Sequence, residues 1–303
     1  MRKERILSKF SLFFGAGTAL CTPFEQNGEL DLESYRRLLR FQLDEGIDAL
    51  LVCGTTGEAA TLSADEHFSL VRFTVEAVRG RIPVIAGNGS NCTSHAIELT
   101  HAVCEAGCDA LLTVTPYYNK ANREGLVRSF CDIADAGSVP TILYNVPSRT
   151  GISIPLSVYK DICRHERIVG VKDAGGNIKE SMALISSLSD MLDVYCGNDD
   201  ILFPMLSLGC IGGISVAANL IPTEMQMICD LYFSGRSDQS RELQYKLYDL
   251  IEALFCEVNP IPLKYALQQI GICEGDMRLP LYEADCESKS KIRAVLKKHN
   301  LLS

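Results

Sequence analysis

Short apolar runs recur along the chain, and each is followed by a longer stretch in which apolar and polar residues alternate with helical period. The runs cover 16–21, 49–53, 83–87, 110–115, 140–146, 168–172, 193–197 and 211–217. They read Val-Ile-Ala-Gly over 84–87, Ile-Leu-Tyr-Asn-Val over 142–146 and Ile-Val-Gly-Val-Lys over 168–172. Near-continuous apolarity, rather than strict alternation, predicts strands covered on both faces, as in a parallel sheet. Between the runs the period changes. In 31–45, Leu32, Tyr35, Leu38, Leu39 and Leu43 fall on one side, and Arg36, Arg37 and Arg40 fall elsewhere, which predicts an amphipathic helix. Ser63 before Asp65 and Glu66 predicts a helix start. Thr93 or Ser94 is expected to cap the next helix, and Gly107 to mark its end.

Eight strand–helix units in succession predict an α/β fold, a (β/α)8 TIM barrel, over 1–235. An open doubly wound sheet is the alternative, but it would usually carry a glycine-rich loop after its first strand. Thr22-Pro23-Phe24-Glu25-Gln26-Asn27-Gly28 is not such a loop. Beyond about 235 the pattern becomes helical only, with helices expected over 237–256, 260–271 and 287–299. The turn-rich segment 272–286, containing Pro280, separates the last two. Residues 236–303 therefore read as a helical appendage packed on a barrel that carries the active site.

Composition narrows the function classes. The 303 residues are 47% apolar and 22% charged, enough for one large core, and the net charge is −9. Nucleic acid binding needs a basic face. The densest basic clusters, Arg2-Lys3-Glu4-Arg5 and Lys297-Lys298-His299, lie at the two ends and read as solvated termini. Thirteen cysteines with no Cys-x-x-Cys pair fit reduced thiols in a cytoplasmic protein better than a disulfide framework. Most, among them Cys53, Cys131 and Cys229, sit in apolar runs and read as small hydrophobes. The basic head and the apolar stretch Phe10 to Cys21 could mimic a signal peptide. Gly15, Gly17 and Thr18, and the continuation into Thr22-Pro23-Phe24, favour a first strand instead. No run reaches the ~18 apolar residues of a membrane span. The five histidines show no ligand spacing, so neither a metal nor a cofactor is expected, and Asp199 and Asp200 are expected to cap the helix after strand seven.

In a barrel of this kind the active site lies where the strands end at the C-terminal face. The strand exits read Gly54-Thr55-Thr56-Gly57-Glu58, Thr115-Pro116-Tyr117-Tyr118-Asn119, Tyr144-Asn145-Val146-Pro147-Ser148-Arg149-Thr150-Gly151, Lys172-Asp173, Gly197-Asn198-Asp199 and Gly213-Ile214-Ser215. Lys172 has two readings. Aimed inward and buried, it loses its proton readily and becomes a nucleophilic amine; otherwise it snorkels to water or pairs with Asp173. Tyr144 is either a proton-transfer phenol or a core aromatic. Thr55 and Thr56, with the flanking glycines, offer hydroxyls and N–H groups that suit a carboxylate, or form a simple turn. Arg149 is either a carboxylate clamp or a surface loop residue. Gly197, Gly212 and Gly213 could bring a ligand close to the backbone.

Taken together, the 54–58 and 144–151 motifs, Val171-Lys172-Asp173 and Asn259-Pro260-Ile261-Pro262-Leu263-Lys264 resemble the family of dihydrodipicolinate synthase and N-acetylneuraminate lyase, the pyruvate-dependent class I aldolases. The likeness runs from about Gly15 to Leu302. The Thr-Thr pair and the Ser-Arg-Thr-Gly loop resemble the synthase branch, since the lyases resemble Gly-Ser-Thr-Gly-Glu and lack the Arg. The resemblance implies Lys172 as the imine-forming residue and Tyr144, Thr55 and Tyr118 as a proton relay, with Tyr118 supplied by a neighbouring subunit. It implies that Thr56 and the backbone at Ile214 hold the pyruvate carboxylate near Gly197, and that Arg149 binds the carboxylate of aspartate semialdehyde. It further implies a homotetramer built from two tight dimers and a role in making diaminopimelate and lysine. Family members inhibited by lysine resemble one another in an Asn, a Glu, a His and a Tyr at the dimer interface. Asn91, His67 and Tyr117 match, but His95 stands at the Glu position and Ala64 where a polar residue is common, so weak or absent lysine feedback is expected. The alternatives are a sister aldolase acting on a sugar-derived or other keto acid, and a non-catalytic keto-acid sensor.

Overall fold

The protein is described by a computed structural model covering residues 11–302; the basic cluster at Arg2-Lys3-Glu4-Arg5 and the first residue of the signal-like stretch, Phe10, lie outside the described residues. Eight parallel strands close on themselves: β1 Gly15–Ala19, β2 Ala49–Val52, β3 Val84–Gly87, β4 Ala110–Val114, β5 Thr141–Asn145, β6 Ile168–Asp173, β7 Asp193–Cys196 and β8 Gly212–Ser215, with β8 pairing back on β1. The fold is a (β/α)8 barrel. Each strand is followed by a helix, from Leu32–Asp44 after β1 to Pro222–Phe233 after β8. No described helix is long and apolar enough to cross a membrane.

Strand alternation sorts the core into two layers. Ala19, Leu51, Ile85, Leu112, Ile142, Tyr144, Tyr195 and Ile214 fill the barrel interior, while Leu50, Val52, Ala86, Leu111, Leu143, Val171 and Val194 face the helices. Phe13 closes the lower end. Its ring stacks on Tyr195 with centroids 4.5 Å apart, and the Tyr195 hydroxyl donates to its carbonyl at 3.1 Å. The layer alternation puts Lys172 on the inner face, beside Tyr144 of β5 and Tyr195 of β7 in register.

Local signals decide most helix ends. Ser63 accepts from the Glu66 N–H while the Glu66 carboxylate accepts from the Ser63 N–H, closing a capping box on Ala64–Val78. The next helix departs from expectation. Thr93 is its first residue and Cys92 its cap, with no side-chain capping bond. The Thr93 hydroxyl is instead engaged with Ser129 of the following helix at 2.9 Å, so a tertiary contact has taken the group that local chemistry assigned to the cap.

After the barrel come Ser237–Ala253, Ile261–Gln269 and Cys286–Lys298, each close to its expected span. This segment reaches back to the strand ends. Lys264, fully buried, pairs with Glu58 at 2.5 Å and donates to the Asp276 carbonyl at 2.6 Å. Arg278 pairs with Glu66 and donates to the carbonyls of Gly28 and Thr61. The Phe24 ring contacts both cations, its centroid 4.3 Å from the Lys264 amine and 4.4 Å from the Arg278 guanidinium carbon.

Candidate active site

Lys172 ends the inner face of β6 and is only 4% exposed. Its amine stands 4.6 Å from the centroid of the Tyr144 ring, and no ion pair holds it among the described residues. The alternative pairing with Asp173 is overturned. Asp173 lies on the opposite face of the strand, where its carboxylate accepts from Ser181 at 2.6 Å and from Asn145 and the Gly175 N–H at 3.1 Å each. Burial without an ion-pair partner among the described residues drives the Lys172 pKa down to about 8, partly offset by the negative charge of Asp199. The amine is therefore held near the point where it can act as a nucleophile at neutral pH.

Asp199 is the residue the sequence reading misplaced. Its side chain caps neither the turn Asp199–Ile201 nor the helix Leu202–Leu208 that follows it. Its carboxylate crosses to the β8 exit and accepts from the N–H groups of Val216 at 2.9 Å and Ala217 at 2.7 Å. Burial raises its pKa against those bonds. It thus ties the β7 and β8 exits together and is the main negative charge acting on Lys172. Asp200 next to it is exposed. An acidic pair after a strand looks like a cap, and nothing in the sequence signals a partner 17 residues on.

Tyr144 is buried, and its hydroxyl hydrogen-bonds Thr55; burial raises its pKa, opposed by that bond and by the positive charge of Arg149. Thr55 and Thr56 sit in a loop flanked by two residues in the left-handed region, Cys53 at φ 54° and Glu58 at φ 52°. Side-chain-bearing residues hold that conformation only when their surroundings enforce it, and the Lys264 pair supplies the restraint at Glu58. Thr56 is buried, and its oxygen accepts from the Asn259 amide at 3.1 Å. Arg149 lies on the single turn Pro147–Thr150 and donates to the Asn259 carbonyl at 2.8 Å. Ile214 is buried in β8 beside Gly17. At Gly197 and Gly213 the space a side chain would fill is taken by Ala174 and Leu202, each 2.8 Å or less from an ideal Cβ, so close packing also requires glycine there.

The structure therefore brings Lys172, Tyr144, Thr55, Thr56 and Arg149 to one end of the barrel. Tyr118 stands apart: it is 90% exposed, adopts φ 71° and makes no hydrogen bond within the described chain. Among the residues expected at a regulatory cleft, His67 is buried with its ring nitrogen 2.7 Å from the Gly87 carbonyl, and His95 lies 3.5 Å from the Ser90 hydroxyl. No grouping of three or more His, Cys, Asp or Glu that could hold a metal ion occurs among the described residues. Chemically, the site offers a proton-shedding amine, a phenol–hydroxyl pair to move protons and donors for two carboxylates.

The family model described as the dihydrodipicolinate synthetase family matches residues 12–299. The 4-hydroxy-tetrahydrodipicolinate synthase of Geobacter metallireducens is 43% identical over 291 residues, 96% of this chain and 100% of that protein. The crystal structure of dihydrodipicolinate synthase from Thermotoga maritima superposes with a TM-score of 0.94 at 43% identity, covering 96% of this chain and 100% of that one. That of the chloride-inhibited dihydrodipicolinate synthase from Acinetobacter baumannii, complexed with pyruvate, gives 0.94 at 38% identity over 96% of this chain and 100% of that one.

Proposed function

The chain belongs to the dihydrodipicolinate synthetase family, and on that premise we propose that it condenses pyruvate with L-aspartate 4-semialdehyde to 4-hydroxy-tetrahydrodipicolinate, a lyase step on the route to diaminopimelate and lysine. The observation that carries this reading is the buried amine of Lys172, depressed to about 8 beside a hydrogen-bonded phenol. The neutral amine adds to the C2 carbonyl of pyruvate, and water leaves as the imine forms. The protonated imine is an electron sink, so the methyl carbon gives up a proton and becomes an enamine. That carbon bonds to the aldehyde carbon of the second substrate, whose oxygen takes up a proton. The amino group of the second substrate then attacks C2, closes the ring and releases Lys172.

Tyr144 and Thr55 carry the protons, completed by Tyr118 from a neighbouring copy in a homotetramer of two tight dimers. An exposed, backbone-strained tyrosine supports that assignment, because strain of this kind persists where it serves a site. Thr56 and the backbone at Ile214 hold the pyruvate carboxylate near Gly197, and Arg149 holds that of the semialdehyde by a two-pronged guanidinium contact. Covalent attachment of the first substrate before the second reacts predicts ping-pong kinetics. Thirteen free cysteines suit a reducing cytoplasm.

A sister aldolase acting on a sugar-derived keto acid is the competing reading, and Arg149 weighs against it. Turnover of aspartate semialdehyde with pyruvate should be robust, and cleavage of sialic acid should be negligible. The reverse preference rejects the synthase assignment, and no turnover of either, with no imine formed, favours a keto-acid sensor.

A further inference from the structure

We infer that Asn259, in the C-terminal helical segment, is a positioning residue that sets the direction of the Thr56 hydroxyl proton and thereby the affinity of the site for the pyruvate carboxylate. The inference rests on the function proposed above and extends it to a residue outside the barrel. Asn259 is 7% exposed and touches both groups assigned to carboxylate binding: its side-chain amide donates to the Thr56 oxygen at 3.1 Å, and its carbonyl accepts from Arg149 at 2.8 Å.

A threonine hydroxyl has one proton and two lone pairs. An N–H directed into one lone pair leaves the proton to point elsewhere. No protein acceptor takes that proton among the described residues, although Thr56 is buried. A buried donor with nothing to donate to is costly unless a ligand uses it, and an anionic oxygen is the acceptor that would gain most. The orientation of the Asn259 amide decides where that proton goes. Its Oδ1 is buried and unpartnered. With an N–H on the Thr56 oxygen the hydroxyl proton is free for a ligand; rotated by half a turn, the amide would present Oδ1 there, take that proton itself and close the site to an anion. The side chain is also anchored at its back. Pro260 and Ile261 begin the helix Ile261–Gln269, and Lys264, one turn along, is fixed to Glu58 and the Asp276 carbonyl. Glu58 closes the same loop that carries Thr55 and Thr56, so the loop and its orienting amide are held in one frame.

The test is a double-mutant cycle with Asn259→Ala and Thr56→Val, read as KM for pyruvate against kcat, with Asn259→Asp as a separate probe. Asn259→Asp places an acceptor beside the Thr56 oxygen, captures its proton and adds negative charge. It should raise the pyruvate KM by roughly tenfold or more, as expected for a lost bond to a charged group. Asn259→Ala should raise it less and leave the semialdehyde KM unchanged, because the carbonyl that holds Arg149 is backbone. Asn259→Ala should add little once Thr56 is Val. Borohydride reduction with pyruvate should still label Lys172 in each variant. An Asn259→Asp enzyme with the wild-type pyruvate KM, or additive effects in the cycle, overturns the inference alone. Failure of the wild-type enzyme to form an imine on Lys172 overturns the function reading, and the inference with it.

Discussion

Lys172 shows how one strand position sets reactivity. Val171 and Asp173 face the helices while Lys172 faces the barrel interior, so a shift of one residue would exchange a buried amine for a hydrogen-bonded carboxylate. The sequence exposed this residue because it closes an apolar run; it left open whether Asp173 neutralises it, which only the strand's facing decides. Asp199 and Asn259 were not legible in the same way. Asp199 acts on N–H groups from the β8 exit, and Asn259 reaches a threonine 203 positions earlier, so neither carries a local signature. The cost of holding Lys172 gives a test with a defined sign. Its amine titrates near 8 when folded, against an ordinary 10.5. The unfolded chain therefore binds more protons between those values, and stability rises with pH across that window. Below about pH 8 the full penalty stands, on the order of 3 kcal/mol. Lys172→Met removes it. The variant should be more stable than wild type at pH 7 by denaturant unfolding, with the gain shrinking towards pH 10.5. A gain that does not vary with pH, or none, contradicts the depressed pKa.

At the scale of elements, strands were legible because barrel strands are buried on both faces and read as continuous apolar runs: 168–172 was expected and Ile168–Asp173 is found. Helix starts were legible only where the capping partners lie within one turn. Ser63 and Glu66 satisfy each other three residues apart, whereas Thr93 is drawn to Ser129, a choice no local pattern contains. The joint between the β2 exit and the helix Ile261–Gln269 rests on the Glu58–Lys264 pair, whose side chains are essentially inaccessible to water. Removing one member of a buried pair leaves an uncompensated charge and costs about 3–5 kcal/mol. Lys264→Met should therefore destabilise strongly in chemical denaturation, and Lys264→Met combined with Glu58→Gln should recover much of the loss. If the double variant is no better than the single one, the pair is not what holds the joint.

At the scale of the whole molecule, closure of eight parallel strands gathers residues from six strand exits onto one end of the barrel, and the C-terminal segment completes the surroundings of that end through Asn259, Lys264 and Arg278. One member of the proposed relay, Tyr118, is exposed and makes no hydrogen bond among the described residues. In the proposed function it serves the site of a neighbouring copy. Tyr118→Phe should therefore lower kcat by roughly tenfold or more, in the range of a lost proton-transfer group, while Lys172 still forms its imine. A variant that keeps the full rate removes Tyr118 from the relay. The central claim is that the Lys172 amine bonds covalently to pyruvate, and mass spectrometry of the enzyme after pyruvate and borohydride, mapped to a peptide, tests it most directly. The account predicts one reduced three-carbon adduct per chain, carried by Lys172; an adduct on a different lysine, or none at all, contradicts it.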